Sequence, residues 1–552
     1  MHESRKPNFL KSAAILAATG IFVKIVGAIY QIPILNVLGD EGAGYFHVTY
    51  MVYGLLLAIS TAGVPVALSR LVSSAAANGN MPLIKRYYSV AMPAIMVIGI
   101  VVMCAMFFFA DELADMMGSS LAATGIQVLA PAVFFVCMIS VYRGYAQGFQ
   151  NMIPTAASQV IEVVSKAVFG IIVAFYLARS GNPPQYVSAG AITGVTIGLG
   201  LCIPVMMWYK WKIDRANLLS GEFEENRENG SPELLSKNHA LMRFLRVSIT
   251  ISLSASFMSI MGVIDTSVVS NRLQSAFILE EQEAMALLGI FRKGLSIYNL
   301  PPSLVMPLAV SIIPAIAAAV AQNNKNEASN ITQSSVKLTN LFAMPACIGI
   351  MVLAGPILKA LYYDPRQTPE TVATMTTILV ILGAASYFVC LQHMTIATLQ
   401  ANGYERVALM TFPAGAAVRI ALSYTLVAIP GIGIVGSPIA TLACFAVIVI
   451  LNIIFITLKV RERMKVIDGF IKPLTCALIM AAVAYLTYYG IYRLGSGILG
   501  TGVNAVRLYL VIAILAAVIV YVILVILTKA ITKEDLTFIP KGEKLAKFLK
   551  IK

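Results

Sequence analysis

Apolar runs of about 20 residues, long enough to cross a bilayer, recur along the chain and are separated by short polar stretches. The pattern predicts an all-α polytopic membrane protein. Taking the polar stretches as boundaries, we place about fourteen transmembrane helices, near 11–35, 45–73, 88–110, 121–143, 155–178, 186–209, 243–270, 287–320, 336–361, 372–399, 407–429, 432–458, 468–494 and 504–529. These spans fill the chain and leave no room for a soluble catalytic domain.

Two of the predicted helices contain interruptions. The segment 287–320 is longer than a straight span needs, and its four prolines predict a kinked or broken helix. The stretches Ser60–Pro65 and Asn299–Ser303 occupy corresponding places in the second and eighth helices. A break there would turn backbone groups toward a cavity, whereas the alternative is that these prolines and glycines only serve helix packing.

Composition agrees with a membrane protein. Hydrophobic residues make up 59% of the 552 positions and charged residues 12%, and a water-soluble domain with this balance would expose a very large apolar surface. The seven cysteines fall within apolar runs, without a Cys-x-x-Cys pair or a His at metal spacing. We therefore expect no metal site and no cofactor.

The distribution of Lys and Arg predicts the orientation. Of the 40 basic residues, 29 lie in alternate loops on the side of the N-terminus, and basic loops stay in the cytoplasm during insertion. Both termini are therefore expected in the cytoplasm, which requires an even number of spans. This asymmetry accounts for most of the net charge of +14, so no nucleic-acid partner is needed, and the basic tail Lys541–Lys552 is suited to anionic lipid headgroups.

The two halves of the chain resemble each other. Gly44-Tyr45-Phe46 is echoed by Gly289-Ile290-Phe291 and Asn78 by Asn323, each 245 residues later, and Lys166 by Arg419, 253 residues later. Gln147 and Gln400 have the same separation of 253. The duplication predicts two pseudo-symmetric six-helix lobes related by an axis along the membrane normal. The expected divisions are an N-lobe at 1–210, a cytoplasmic linker at 211–242, a C-lobe at 243–460, and two extra helices with the basic tail at 461–552.

Few ionisable residues lie at membrane depth, where each costs about 2.5–3.5 kcal/mol on insertion scales. Lys24, Arg292 and Arg419 have no acidic neighbour in the sequence, which favours a place in a hydrated cavity. Glu162 and Lys166 are four residues apart on one helical face, so they either neutralise each other or contact a substrate.

The remaining intramembrane charges have simpler interpretations. Lys293, Lys359 and Arg507 lie close enough to span ends to reach water by snorkelling. Asp265 is suited to act as counter-ion to Lys24 or to an Arg. A cavity rich in Lys and Arg attracts anions, for which phosphate or diphosphate is the natural ligand, and it should repel cationic drugs.

Several stretches resemble a known family. The runs Lys24–Pro33, Gly39–Tyr45, Ile59–Arg70, Tyr142–Gly148 and Pro154–Glu162 are similar to the polysaccharide-exporter branch of the MOP superfamily. More narrowly, they resemble the MurJ-like lipid II flippases and stage V sporulation protein B family of Gram-positive bacteria.

The resemblance implies a fourteen-helix transporter rather than an enzyme, one that carries lipid II from the inner to the outer leaflet. In MurJ-like proteins, a basic residue of the first helix and an Arg at the start of the eighth line the central cavity, and Lys24 and Arg292 match them. The chain departs from the Gram-negative pattern where Ser60–Pro65 lacks a cavity arginine and where Tyr30 replaces a basic residue.

These observations favour alternating access by a monomer, with the diphosphate-sugar headgroup held by Lys24, Arg292 and Arg419 and the polyprenyl tail in lipid beside the last two helices. Membrane potential is a candidate for resetting a cationic cavity, and no coupling ion is identified. The alternatives are a flippase for another lipid-linked oligosaccharide and a cation-coupled drug or metabolite antiporter, which would need Glu162 as its carboxylate. A membrane enzyme is disfavoured because phosphate-loop and zinc-protease motifs are absent from the sequence.

Overall fold

A computed structural model describes residues 5–61, 63–219, 235–322, 324–460, 467–495, 500 and 502–531. Within these ranges the ordered elements are helices, and no strand occurs. The predicted basic tail Lys541–Lys552 and residues 220–234 of the predicted linker lie outside the described residues. The all-α architecture predicted from the hydrophobic pattern is confirmed.

The described helices follow the apolar runs of the sequence. They are α1 (Arg5–Thr61), α2 (Val64–Ala77), α3 (Met81–Phe108), α4 (Ala110–Met116), α5 (Ala123–Gly148), α6 (Ile153–Arg179), α7 (Pro184–Leu219), α8 (Lys237–Phe277), α9 (Glu281–Tyr298), α10 (Leu300–Ala321), α11 (Lys325–Val352), α12 (Ala354–Tyr362), α13 (Pro369–Ala401), α14 (Glu405–Leu426), α15 (Gly436–Phe455), α16 (Lys472–Gly495) and α17 (Val503–Leu527). Helix α1 joins the first two predicted spans and bends at Gly39, whose φ of 70° suits a residue without a β-carbon.

Ten helical stretches in the described part of the chain are long and apolar enough to cross a membrane. The first, Ala18–Ala77, covers two predicted spans. The predicted spans near 243–270, 287–320 and 407–429 correspond to helices α8, α9 with α10, and α14, which are not among the ten. The chain is therefore a multi-pass membrane protein, and the total of fourteen spans stays a prediction.

The chain divides into two compact units, Met1–Gly289 and Ile290–Lys552. In the first unit, α8 packs beside the end of α1 and the start of α2. In the second, the last two helices pack against each other and against α11 and α12. The lobes predicted from the repeat, 1–210 and 243–460, have different boundaries from these two units and stay a prediction.

The predicted interruption of the second span is confirmed. Helix α1 ends at Thr61 and α2 begins at Val64. The Gly63 backbone N–H donates to Ser252 Oγ on α8 at 2.9 Å, and a β-carbon at Gly63 would overlap the Ser248 carbonyl oxygen. The Gly63 N–H, which the break leaves without a helical partner, is thus bonded to a neighbouring helix of the same unit. This outcome matches the alternative in which the stretch Ser60–Pro65 serves helix packing.

The predicted interruption of the eighth span is also confirmed. Helix α9 ends at Tyr298 and α10 begins at Leu300. Pro301 and Pro302 lie in the first turn of α10, where a missing N–H breaks no helical hydrogen bond. Helix α10 then runs through Pro307 and Pro314 without ending.

The structure carries the internal repeat in its helix lengths and caps. Helices α3 and α11 each contain 28 residues. Asn80 caps α3 by accepting from the Leu83 N–H, and Asn324 caps α11 by accepting from the Glu327 N–H. The two capping residues are 244 residues apart, within one residue of the offset of 245, so the shared side-chain cap supports the duplication that the sequence matches predict.

A reciprocal contact joins α1 to the first turns of α9. A β-carbon at Gly44 would overlap the Met285 carbonyl oxygen, and one at Gly289 would overlap the Asp40 carbonyl oxygen. Met285 is the repeat equivalent of Asp40, as Gly289 is of Gly44, because both pairs are 245 residues apart. Each glycine therefore packs against the backbone of the residue that is the repeat equivalent of the other glycine's neighbour.

We expect Gly289→Ala to lower the free energy of unfolding by about 1–3 kcal/mol, because the added methyl forces two backbones apart. The apparent melting temperature of the purified protein in detergent measures the effect. Gly54→Ala in α1 is the matched control, since no atom lies within 4 Å of its built β-carbon, and it should melt at or slightly above the wild-type temperature. Equal melting of Gly289→Ala and wild type would contradict the close crossing.

Candidate functional site

The predicted site residues of the first unit lie on α1 and α6. Lys24 is on α1, and its side chain is exposed on this unit. Lys166 is on α6, where its ammonium lies 5.3 Å from the ring centre of Tyr30 and 5.0 Å from that of Tyr50. An ammonium held over two aromatic faces is stabilised by their negative quadrupoles, by about 0.5–2 kcal/mol per ring.

Glu162 of α6 forms a salt bridge with Arg143 of α5. The two charged groups are 3.3 Å apart, and Arg143 Nε also donates to Ser158 Oγ at 2.9 Å. The sequence alternatives for Glu162 were neutralisation by Lys166 or contact with a substrate. The structure shows that Arg143, at the end of the predicted span 121–143, neutralises this carboxylate.

The second unit places Arg292 and Lys293 next to each other on α9. Lys293 is only 2% exposed, and its ammonium lies 5.7 Å from the ring centre of Tyr362. The prediction that Lys293 snorkels to water is wrong, because α12 covers it with this tyrosine. Tyr362 in turn shares a 2.6 Å hydrogen bond with Ser296.

Tyr362 also reports the position of Arg292. The Tyr362 hydroxyl is buried, shares its hydrogen bond with Ser296 and interacts electrostatically with Arg292. Arg292 is itself half-buried. The α9 cations, defined as Arg292 and Lys293, therefore lie beside one fully buried tyrosine.

Arg419 and Asp265 occupy separate helices. Arg419 is half-buried on α14 and interacts electrostatically with Tyr298 at the end of α9. Asp265 is 3% exposed on α8, in the first unit. Arg507, for which snorkelling was predicted, is exposed and donates from Nε to the Ala360 carbonyl oxygen at 2.9 Å.

The structure thus gathers the predicted residues into two groups. Lys24, Lys166 and Glu162 belong to the first unit, and Arg292 and Arg419 to the second. Their joint action on one ligand stays a prediction. Sequence reasoning missed the neighbours that set their chemistry, namely Arg143, Tyr30, Tyr50 and Tyr362. Only the Arg143–Glu162 pair had an indication in the sequence. Two consecutive antiparallel helices, α5 and α6, bring an Arg shortly before their turn close to a Glu shortly after it.

The comparisons with known proteins agree with the resemblance stated above. A family model described as polysaccharide biosynthesis protein matches residues 9–320. The chain is 26% identical over 542 residues to the uncharacterized membrane protein YabM of Bacillus subtilis (strain 168), covering 98% of this chain and 96% of that protein. It is 23% identical to stage V sporulation protein B of the same organism, covering 97% and 98%.

Flippases and transporters are also similar to the chain. The lipid II flippase MurJ of Bacillus subtilis is 22% identical over 433 residues, with 76% of this chain and 77% of that protein covered. A solved lipid II flippase MurJ in an inward closed conformation aligns with a TM-score of 0.67 and 16% identity, over 93% of this chain and 98% of that one. An inward-facing multidrug resistance MATE family transporter aligns with a TM-score of 0.64 and 16% identity, over 81% and 98%. The matches whose names state an activity are not enzymes.

We expect Arg143→Met to destabilise the protein by about 1–3 kcal/mol, because it leaves the Glu162 carboxylate without its charged donor. The double variant Arg143→Met with Glu162→Gln should recover most of this loss, since it removes the carboxylate charge together with its partner. Thermal melting and the yield of folded protein in detergent measure both effects. Arg179→Met, at the exposed end of α6, is the matched control. A double variant as unstable as the single one would show that the pair is not coupled.

Proposed function

The chain belongs to the polysaccharide biosynthesis protein family, and from this we propose that it is a transporter that flips an anionic, undecaprenyl-diphosphate-linked cell-wall precursor, lipid II, from the inner to the outer leaflet. The observation that carries the proposal is the pair of α9 cations, with Lys293 buried and Arg292 half-buried, beside Tyr362. A cation enclosed in protein at membrane depth is costly, so its retention favours a function. Phosphate is the anion that such a pair binds best.

The first unit also favours an anionic ligand. Lys24 is exposed and Lys166 is held over two tyrosine rings, so this unit also offers basic groups to a ligand. The carboxylate that a cation-coupled antiporter would need, Glu162, is neutralised by Arg143. A drug or metabolite antiporter is therefore the weaker alternative, although a multidrug transporter is among the structures with a similar fold.

The proposed cycle is alternating access. The headgroup enters from the cytoplasmic side and is held by Lys24, Arg292 and Arg419, while the polyprenyl tail stays in lipid beside α16 and α17. Both termini face the cytoplasm in this scheme, because the basic loops lie on their side. The membrane potential is available to return the empty cationic cavity, since moving one charge through 100 mV is worth about 2.3 kcal/mol. The scheme assigns no cofactor and needs only one copy of the chain.

Two relatives support the choice of substrate. The similarity to the Bacillus subtilis lipid II flippase MurJ spans three quarters of both chains, and that to stage V sporulation protein B spans nearly all of both. The similarity to MurJ favours lipid II as the substrate. The similarity to stage V sporulation protein B is compatible with a role in sporulation as well as in wall growth. A flippase for a different lipid-linked oligosaccharide is the second candidate, because it would use the same cations.

We expect Lys24→Ala and Arg292→Ala each to reduce translocation about tenfold or more, since one charged hydrogen bond is worth about 1.5–3 kcal/mol. The measurement is complementation of a bacterium depleted of its own lipid II flippases, together with labelling of the precursor in the outer leaflet. Lys24→Arg and Arg292→Lys keep the charge and should retain part of the activity.

Arg179→Ala, which removes an exposed cation beside Phe175, is the control and should translocate at the wild-type rate. Full growth with both alanine variants at normal expression would refute the cationic site. The wild-type chain could instead fail to replace the lipid II flippases but replace a flippase for a different lipid-linked glycan. That result would support the cationic site and refute lipid II as the substrate.

A further inference from the structure

A pocket in the second unit is lined in part by Tyr362, the residue whose ring centre lies 5.7 Å from the Lys293 ammonium. Its volume is about 580 Å³, within the range of about 300–1,000 Å³ that small-molecule sites occupy. The tyrosine pocket, as we call it, is walled by the end of α12, the connection to α13, the start of α13 and one face of α16. The tyrosines among its lining residues are Tyr362, Tyr363, Tyr488, Tyr489 and Tyr492.

The rings of α16 form a continuous aromatic wall. Tyr488 and Tyr492 stack with their ring centres 6.1 Å apart and planes at 20°, while Tyr489 stands edge-on to Tyr488 at 5.1 Å. Their spacing along the helix places them on one face. Tyr489 is 38% exposed and Tyr363 is 50% exposed, so both offer ring surface to a ligand.

The polar groups of the pocket are mixed in sign. Lys359, Asp364 and Gln367 line it together with the tyrosines, and Asp364 Oδ1 also fixes the following turn by accepting from the Arg366 N–H at 2.9 Å. One cation and one anion leave no net charge to select a phosphate. Ammonium, carboxylate and amide groups together both donate and accept hydrogen bonds.

This combination suits a saccharide. A sugar ring has C–H faces that pack on aromatic rings and a rim of hydroxyls that both donate and accept. Tyrosine provides the flat apolar surface together with a polar hydroxyl. An anionic lipid headgroup would instead require an excess of positive charge, which the lining residues lack.

We propose that the tyrosine pocket binds a neutral sugar unit of the transported glycan, next to the α9 cations. Tyr362 lines the pocket and also lies beside the Lys293 ammonium, so a sugar in the pocket would lie next to a phosphate held by the α9 cations. The α12–α13 connection carries Arg366, on the side that the charge distribution predicts to be extracytoplasmic. The pocket would therefore hold the sugar on the side of release. The identity of the natural ligand rests on the proposed function, whereas saccharide binding does not require translocation.

The test is saturation-transfer NMR on the full chain in lipid nanodiscs with the soluble disaccharide N,N′-diacetylchitobiose. Irradiating aromatic protein protons should transfer magnetisation to the sugar ring C–H protons. The double variant Tyr363→Ala with Tyr489→Ala should weaken binding about tenfold, because it removes both exposed ring faces. Tyr489→Phe keeps the ring and should retain binding, which separates stacking from misfolding.

Tyr176→Ala is the matched control, because Tyr176 is 70% exposed on α6 in the first unit and lies outside the pocket lining. Absence of transfer to the disaccharide in the wild type, or equal transfer in the double variant, would overturn the proposal. Displacement of the disaccharide by glycerophosphoglycerol would overturn it in favour of a lipid headgroup site. Retained saccharide binding in the wild type, with lipid II translocation intact in Lys24→Ala and Arg292→Ala, would refute the cationic site and leave the pocket standing.

Discussion

The hydrocarbon core of a bilayer offers no hydrogen-bond partner, so every backbone N–H and carbonyl at that depth has to be bonded within the protein. Helices meet this demand along their length, and the described chain is built from them. The same demand governs two of the places where a helix stops inside an apolar run. At Gly63 the freed N–H bonds to a serine of α8, and after α9 two prolines have no N–H to bond. Both helix breaks are therefore tolerated, because at the first the backbone N–H is bonded to another helix and at the second the prolines have no N–H that needs a partner.

Charged side chains are subject to the same constraint, and the protein meets it in two ways. Glu162 and Arg143 neutralise each other across the α5–α6 hairpin. Lys166 lies over two tyrosine rings, and Lys293 is covered by a third. Tyrosine rings are thus the neighbours of both Lys166 and Lys293. A tyrosine ring stabilises a positive charge without cancelling it, so the cation stays available to an anionic ligand.

The sequence predicted those features that depend on residues close together in the chain. Run length and composition predicted the all-α membrane class, the prolines and Gly63 predicted both helix breaks, and spaced matches predicted the repeat. Features that depend on packing between helices were not predictable. Glu162 had Lys166 one turn away, but its partner Arg143 comes from another helix. Lys293 lies near a predicted span end, yet α12 buries it, and the tyrosine pocket joins residues more than a hundred positions apart.

The reciprocal crossing of α1 and α9 bears on the history of the chain. If the two repeats were once identical, a single codon specified both glycines, and any change of it would have placed two methyl groups into two carbonyls at once. The position would then have been under double selection before the copies fused. In the present chain each glycine is encoded separately and both are present, whereas the neighbouring Tyr45 and its counterpart Ile290 differ. Either glycine can now be replaced independently, but each replacement would still force a side chain into the backbone of the other helix.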